Sequence, residues 1–330
     1  MKKILYICAL AAIAATALSC SKEQEAAAPI KWKTVSVELG CPQIGEAAAL
    51  DSKTTLIDHS IYWKADDVNI VAITDGTKGS NWYLFTSDNT EMSATKVFTG
   101  KIPDGENVVL YAYLLNKTSG WNLSKWTGYS TIRQILAYSQ SISKKGGFNE
   151  IYNFAIAKPD EFAFRNCCGY LKFTQDAAGS IKTVRVETIA TEMLMNGSTE
   201  EEHPEYMAGY FDCTYGEYDE DPSTVKSPLN TGSTVGARAP YVTATLFDSV
   251  IAPDEHYYMI VLPRTYHGIK VTITLTDGSS LAIKSTKTFE VKRGEAIDLG
   301  VLPVTALSKA AGSYRLPGTG DFAEGWTLAD

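Results

Sequence analysis

The sequence predicts an all-β protein built from antiparallel sandwiches, and three observations carry that reading. The first is composition: 18 tyrosines and 6 tryptophans, with abundant Thr and Val, favour the pleated, half-buried surface of a strand over a helix. The second is period-two alternation. In TVSVEL, Val35, Val37 and Leu39 share one face, and in KVTITLTDG, Val271, Ile273 and Leu275 oppose Thr272, Thr274 and Thr276. The third is punctuation. Asp75-Gly76, Asp104-Gly105 and Asp277-Gly278 separate such runs, and Asp-Gly between strands is a strong signal of a tight turn.

The remaining elements follow from the same rules. Continuous apolar runs at NVVLYAYLL (107–115) and YYMIVLP (257–263) predict strands buried on both faces. One short helix is predicted around Ser130 to Ala137. No βαβ rhythm intervenes, which excludes a parallel α/β sheet.

The chain opens differently. Lys2 and Lys3 precede an apolar run from Ile4 to Leu18, the order of a secretory signal peptide. That run is shorter than the roughly 20 residues a spanning helix needs. Ala17, Leu18 and Ser19 lead straight into Cys20, which resembles a bacterial lipobox and predicts a chain lipidated at Cys20 and held to a membrane by acyl chains. Residues 1–19 are then the leader and 20–32 a tether.

With 330 residues and 45% hydrophobic content, two domains are expected. Ala157-Lys158-Pro159-Asp160-Glu161 is a polar break with a proline, so the domains are set at 33–160 and 161–307, leaving a tail at 308–330. A soft Ser-, Thr-, Pro- and Gly-rich stretch at 220–236 reads as a surface loop.

Net charge excludes some partners. The formal charge is −8, and loss of Lys2 and Lys3 with the leader lowers it by two, to −10, so neither nucleic acid nor an anionic membrane surface is favoured. Beyond Cys8 and Cys20, the cysteines Cys41, Cys167, Cys168 and Cys213 lack a CxxC spacing, which argues against zinc. Vicinal Cys167 and Cys168 on a strand would point to opposite faces, placing one in the core.

Chemistry is sparse. His59, His203, His256 and His267 show no metal-binding spacing, and no GxSxG elbow, P-loop or GxGxxG occurs, so no enzyme, no cofactor and no metal site is predicted. The acidic run EYDEDP (217–222) lacks the order of a calcium loop and reads as solvated. Trp121, Trp126 and Tyr129 offer aromatic faces of the kind that stack on a sugar, the basis of an alternative reading as a monomeric, surface-anchored glycan-binding lipoprotein.

The order of segments is more informative than any motif. Lys53-Thr54 followed by IYWKADDVNIVAI (61–73), then Gln140, Gly147, Phe148 and Leu171-Lys172-Phe173 within 138–174, then HYYMIVLPRTYHGIKVTITLTDG (256–278) and FEVKRGEAIDLGVL (289–302), resembles the fimbrillin-like proteins of Bacteroidales, subunits of type V pili. The likeness spans most of the chain beyond the leader. It implies two transthyretin-like Greek-key sandwiches, exported as an outer-membrane lipoprotein and polymerised with other pilus subunits at the cell surface, with a host glycan or protein as adhesion ligand. It further implies that an extracellular trypsin-like protease removes the first strand and that a neighbour's C-terminal strand fills the groove. In this sequence the removable strand is the one bearing Val35, Val37 and Leu39. The cut falls at Lys53, the only basic residue of GEAAALDSK, since the first arginine is Arg133. The donor is the tail carrying Leu316, Phe322, Trp326 and Leu328. Many stalk subunits of the family are cut after arginine, so the departure at Lys53 points to a tip or anchor position beside a stalk one.

Overall fold

The computed structural model describes residues 29, 31–43, 54–57, 60–63, 70–74, 83–87, 91, 93–104, 111–115, 131–142, 147–149, 152, 155–157, 163–175, 181–196, 198–214, 238–246, 256–302 and 326–329. Among them the regular structure is almost wholly β. In chain order the strands are β1 (Trp32–Gln43), β2 (Thr54–Ile57), β3 (Ser60–Trp63), β4 (Ile70–Thr74), β5 (Tyr83–Thr86), β6 (Thr95–Pro103) and β7 (Tyr111–Leu115). Then come β8 (Thr131–Leu136), β9 (Ser139–Ile142), β10 (Ala155–Ala157), β11 (Ala163–Asn166), β12 (Gly169–Gln175), β13 (Ile181–Thr188), β14 (Thr191–Asn196) and β15 (Thr199–Pro204). The last are β16 (Gly209–Thr214), β17 (Tyr241–Leu246), β18 (Tyr257–Val261), β19 (Arg264–Leu275), β20 (Ser280–Val291), β21 (Ala296–Leu302) and β22 (Thr327–Leu328). The fold class read from composition and alternation is therefore the observed one.

The helix expected around Ser130 to Ala137 is a strand instead. β8 pairs antiparallel with β16, Leu136 against Gly209 and Thr131 against Thr214. Thr131, Ile132 and Ile135 are β-branched and stiff at χ1, and a long-range partner strand converts that preference into a ladder. Leu136 and Phe211 are then fully buried in one core.

Among the described residues two larger sheet systems stand beside the two-stranded ladders β14-β15, β16-β8 and β2-β3. β1, β11, β10, β7, β4, β5 and β6 close in that order into a barrel. Beyond it, a six-stranded sheet ordered β22-β20-β19-β13-β17-β9 and a three-stranded sheet ordered β18-β12-β21 share one apolar core, to which Val186, Val271, Ile273 and Ile283 contribute from the first and Tyr170, Phe173, Ile260 and Leu299 from the second. Strands cross between the systems on either side of residue 160: β9 joins the six-stranded sheet, while β11 joins the barrel.

By compactness the chain forms two units, residues 34–102 with 107–330, and residues 1–33 with 103–106. In the smaller one the Asp104 amide donates to the Lys31 carbonyl at 2.7 Å.

Antiparallel pairing dominates, with parallel pairs at β1–β11, β12–β21 and β9–β17. Each joins strands far apart in sequence, where a long connection makes a parallel return possible. The Asp277-Gly278 turn forms as the sequence predicts. Gly278 sits at φ 87°, the Asp277 carboxylate accepts from the Ser279 amide at 2.9 Å, and β19 pairs with β20 from Thr274–Ser280 to Arg264–Val291.

β18 is buried at every position, as its apolar run predicts, yet it ends a three-stranded order rather than lying mid-sheet. Its outer edge is satisfied by a side chain. The Gln140 amide donates to the Ile260 carbonyl at 2.6 Å while its oxygen accepts from the Ile260 amide at 2.9 Å, and the Gly147 carbonyl accepts from the Tyr258 amide at 3.2 Å. An edge of unpaired backbone groups inside a core would be costly, and one glutamine takes the part of a strand.

Cys167 and Cys168 depart from the sequence expectation: both are buried, at 1% exposure each. They lie in a bend between β11 and β12 rather than within a strand, so their side chains do not alternate across a sheet. Burial, reinforced by Cys167, pushes the Cys168 thiol well above its ordinary range.

Candidate functional site

The site the sequence singles out starts at β1. Its alternation is realised: Leu39 is buried and Val35 and Val37 are half-buried on one face, while Thr34, Ser36 and Glu38 are exposed on the other. In the barrel order β1 lies between β11 and β6. Toward β11 the pairing is parallel, with Gly40 against Ala163 and Gln43 against Arg165 and an irregularity between them.

Toward β6 the outer face carries polar ties. Ser36 and Thr99 hydroxyls lie 2.9 Å apart, and the Thr95 hydroxyl donates to Glu38 at 2.7 Å. The Ser36–Thr99 contact joins the exposed faces of β1 and β6, and along β6 exposed and buried positions alternate. The inner face of β6 is thus Lys96, Phe98, Gly100 and Ile102, and Lys96 is as buried as Leu39, at 1% each. Gly100 admits the ring of Phe85, which fills the place of a side chain there, since a Cβ would lie 2.6 Å from that ring. Burying a residue such as Leu39 contributes roughly 1.5–3 kcal/mol, so the apolar face of β1 adds to what its ladders supply.

Of the tail, residues 326–329 are described. Trp326 is 6% exposed within the core of the six-stranded sheet, and β22 pairs with β20 through Leu328–Ile283 and Thr327–Lys284. The Ala329 amide donates to the Ala282 carbonyl at 2.9 Å. Cys20, Lys53, Leu316 and Phe322 lie outside the described residues, as do Trp121, Trp126, Tyr129 and the acidic run 217–222.

A polar cluster that sequence reading missed sits at the base of the β14–β15 hairpin. The Arg264 guanidinium donates to both carboxylate oxygens of Glu192, at 2.8 and 2.5 Å. The buried Glu205 carboxylate accepts from the His267 amide at 3.0 Å and lies 2.5 Å from its ring nitrogen Nδ1. The Thr188 hydroxyl donates to the Glu205 carbonyl at 2.7 Å. Burial disfavours the Arg264 cation, but the Glu192 hydrogen bonds together with the charges of Tyr266, Glu192 and Glu205 raise its pKa. Tyr266, whose hydroxyl donates to the Leu262 carbonyl at 2.7 Å, is pushed far up by burial. The available signal was the alternation of Arg264, Tyr266 and Gly268 against Thr265 and His267, but the acidic partners come from 72 and 62 residues away in sequence.

This cluster anchors a hairpin and offers no nucleophile beside a base. Among the described residues no group of three or more His, Cys, Asp or Glu is placed to hold a metal ion, and no helix is long and apolar enough to cross a membrane. No protein-family model, no curated protein and no solved structure matches this chain.

Proposed function

We propose that this protein is a structural or adhesive subunit of cell-surface pili, exported as a lipoprotein through Cys20 and assembled when proteolysis removes β1 and a neighbouring subunit's C-terminal strand replaces it. Other pilus subunits, the membrane through its lipid anchor, and an extracellular trypsin-like protease are its partners. The tandem Greek-key sandwich of the fimbrillin-like proteins is the fold this reading assumes.

The observation that carries it is the place of β1. It lies between β6 and β11, near the start of the chain, with an apolar inner face and a short, irregular ladder to β11. Its loss exposes Phe98 and Ile102 and leaves two strand edges unpaired, a state that a partner strand relieves through main-chain hydrogen bonds and side chains in register. The tail enters the same reading from the other end: among the described residues β22 lies at the edge of the six-stranded sheet.

Limited trypsin treatment of the folded chain lacking its leader, followed by intact-mass analysis and a native gel, tests this. A single cut at Lys53 that yields ladders is expected. A cut product that stays monomeric sinks the reading, and saccharide-dependent tryptophan quenching in that monomer would establish the glycan-binding alternative.

A further inference from the structure

The six-stranded sheet is closed on one side by Val184, Val186, Val242, Ala244, Val271 and Ile273, all fully buried. The residues between them point outward, exposed or half-buried, and cross-strand register sets them in rows. One row runs Ser280, Thr274, Thr183, Thr245, Ser141, from β20 through β19, β13 and β17 to β9. Every strand in it contributes a hydroxyl, and strand spacing sets neighbours about 4.8 Å apart. The next row holds Thr272, Thr243 and Ser139 beside Arg185. In the third, Lys284, Lys270 and Glu187 stand side by side and lead to Tyr241. Among the described residues no hydrogen bond within the chain uses the hydroxyls of the first two rows.

The charge on this face is unbalanced. Arg185 and Lys270 share the Glu187 carboxylate at 3.0 and 3.1 Å, and Lys284 adds a further cation. A net positive face on a chain of formal charge −8 is complementary to an acidic partner. The hydroxyl rows decide its kind. A protein surface laid over them would have to satisfy each buried hydroxyl with its own side chains, whereas a sugar chain brings hydroxyls and ring oxygens at every residue. The threonines at the centre of the first row are stiff at χ1 and stand on paired strands, so little side-chain freedom is lost on binding. Beside Tyr241, the ring of Tyr138 lies 5.3 Å away edge-on and is 44% exposed, an apolar face for the C–H side of a sugar.

We propose that the outer face of the six-stranded sheet binds a linear acidic polysaccharide, laid along the row from Ser280 to Ser141 with its acid groups toward Arg185, Lys270 and Lys284. This names a surface and a ligand class for the adhesive form of the pilus-subunit reading, and rests on that reading for its place at the cell surface. The rows belong to neither β1 nor β22, so exchange of those strands leaves the face in place.

The test measures binding of the folded chain lacking its leader to immobilised polygalacturonate, chondroitin sulfate, dextran and polyglutamate. Binding to the two acidic polysaccharides is expected, at least about tenfold tighter than to neutral dextran or to polyglutamate, which has the charge without the sugar hydroxyls. The triple variant Thr183→Val, Thr245→Val, Thr274→Val keeps β-branched side chains and is expected to weaken binding at least about tenfold with an unchanged melting temperature. Lys284→Gln, at a partly exposed position, is expected to weaken it about threefold and to flatten its salt dependence, and serves as the second variant should the triple one not fold. Polyglutamate bound as tightly as polygalacturonate, or full binding by both variants, overturns the proposal. A concentration-dependent dimer in sedimentation that the triple variant abolishes also overturns it, by giving the face to a second copy of the chain. A chain that binds neither acidic polysaccharide yet ladders after trypsin loses this site and keeps the subunit reading. One that binds but never ladders keeps the site and loses the pilus.

Discussion

Gln140 and Ile260 form a two-point contact in which one side-chain amide serves both the N–H and the C=O of a backbone residue 120 positions away. Gln140 is fully buried. The pair joins the segment that carries β9 to the outer edge of β18, and Gly147 extends the contact at Tyr258.

Gln140→Leu keeps the volume and removes both hydrogen bonds, leaving two buried backbone groups without partners. A loss of about 2–4 kcal/mol in urea-unfolding free energy is expected. A change under about 0.5 kcal/mol would show that the edge of β18 is satisfied in some other way.

Two glycines should separate close packing from backbone conformation. A Cβ on Gly169 would lie 2.2 Å from Val291, a core side chain, and 2.5 Å from the Lys292 carbonyl. Gly169→Ala should therefore cost about 2–3 kcal/mol or more through forced displacement. Gly278 has open space around its Cβ position and φ 87°, so Gly278→Ala should cost only about 1–2 kcal/mol, from the left-handed backbone alone. Equal thermal shifts for the two variants would contradict this ranking.

The hairpin base gives a third expectation. Arg264→Lys retains the charge and forfeits the bidentate fork to Glu192, so β14 and β15 should exchange their amide hydrogens at least several-fold faster while β19 and β13 are unchanged. Uniform acceleration across the chain would instead mean that Arg264 supports global stability.

Acid should weaken one network on the six-stranded sheet in a defined direction. Burial raises the Glu187 pKa, but the hydrogen bonds and positive charges of Lys270 and Arg185 together hold the carboxyl below its ordinary 4.5. A depressed folded-state pKa means that the contribution is fully present above about pH 4.5 and is lost as pH falls through the lower folded value. Since these groups are partly exposed, Glu187→Gln should cost no more than about 1 kcal/mol at pH 7 and close to nothing at pH 2–3. Urea unfolding at the two pH values checks the sign, and a variant more harmful in acid would refute it.

How much of this was legible beforehand follows from the range of each interaction. Alternation is local, so the inward face of Val35, Val37 and Leu39, the buried β18 and the Asp277-Gly278 turn could all be read from neighbouring residues. The strand at Thr131–Leu136 could not, because short-range preference there was ambiguous and β16 decided it. The place of Cys168 was likewise fixed by a bend, not by its neighbours in sequence.

The sequence by itself determined the all-β class, the faces of the strands and the turns, since side-chain direction and turn chemistry depend on residues within a few positions. Only the tertiary structure decided which strands are neighbours. It set β1 between β6 and β11 and carried Glu192 and Glu205 to Arg264 and His267. Pairing between distant strands is chosen by the fit of whole faces and by the satisfaction of buried polar groups, and neither is written in any short window of the chain.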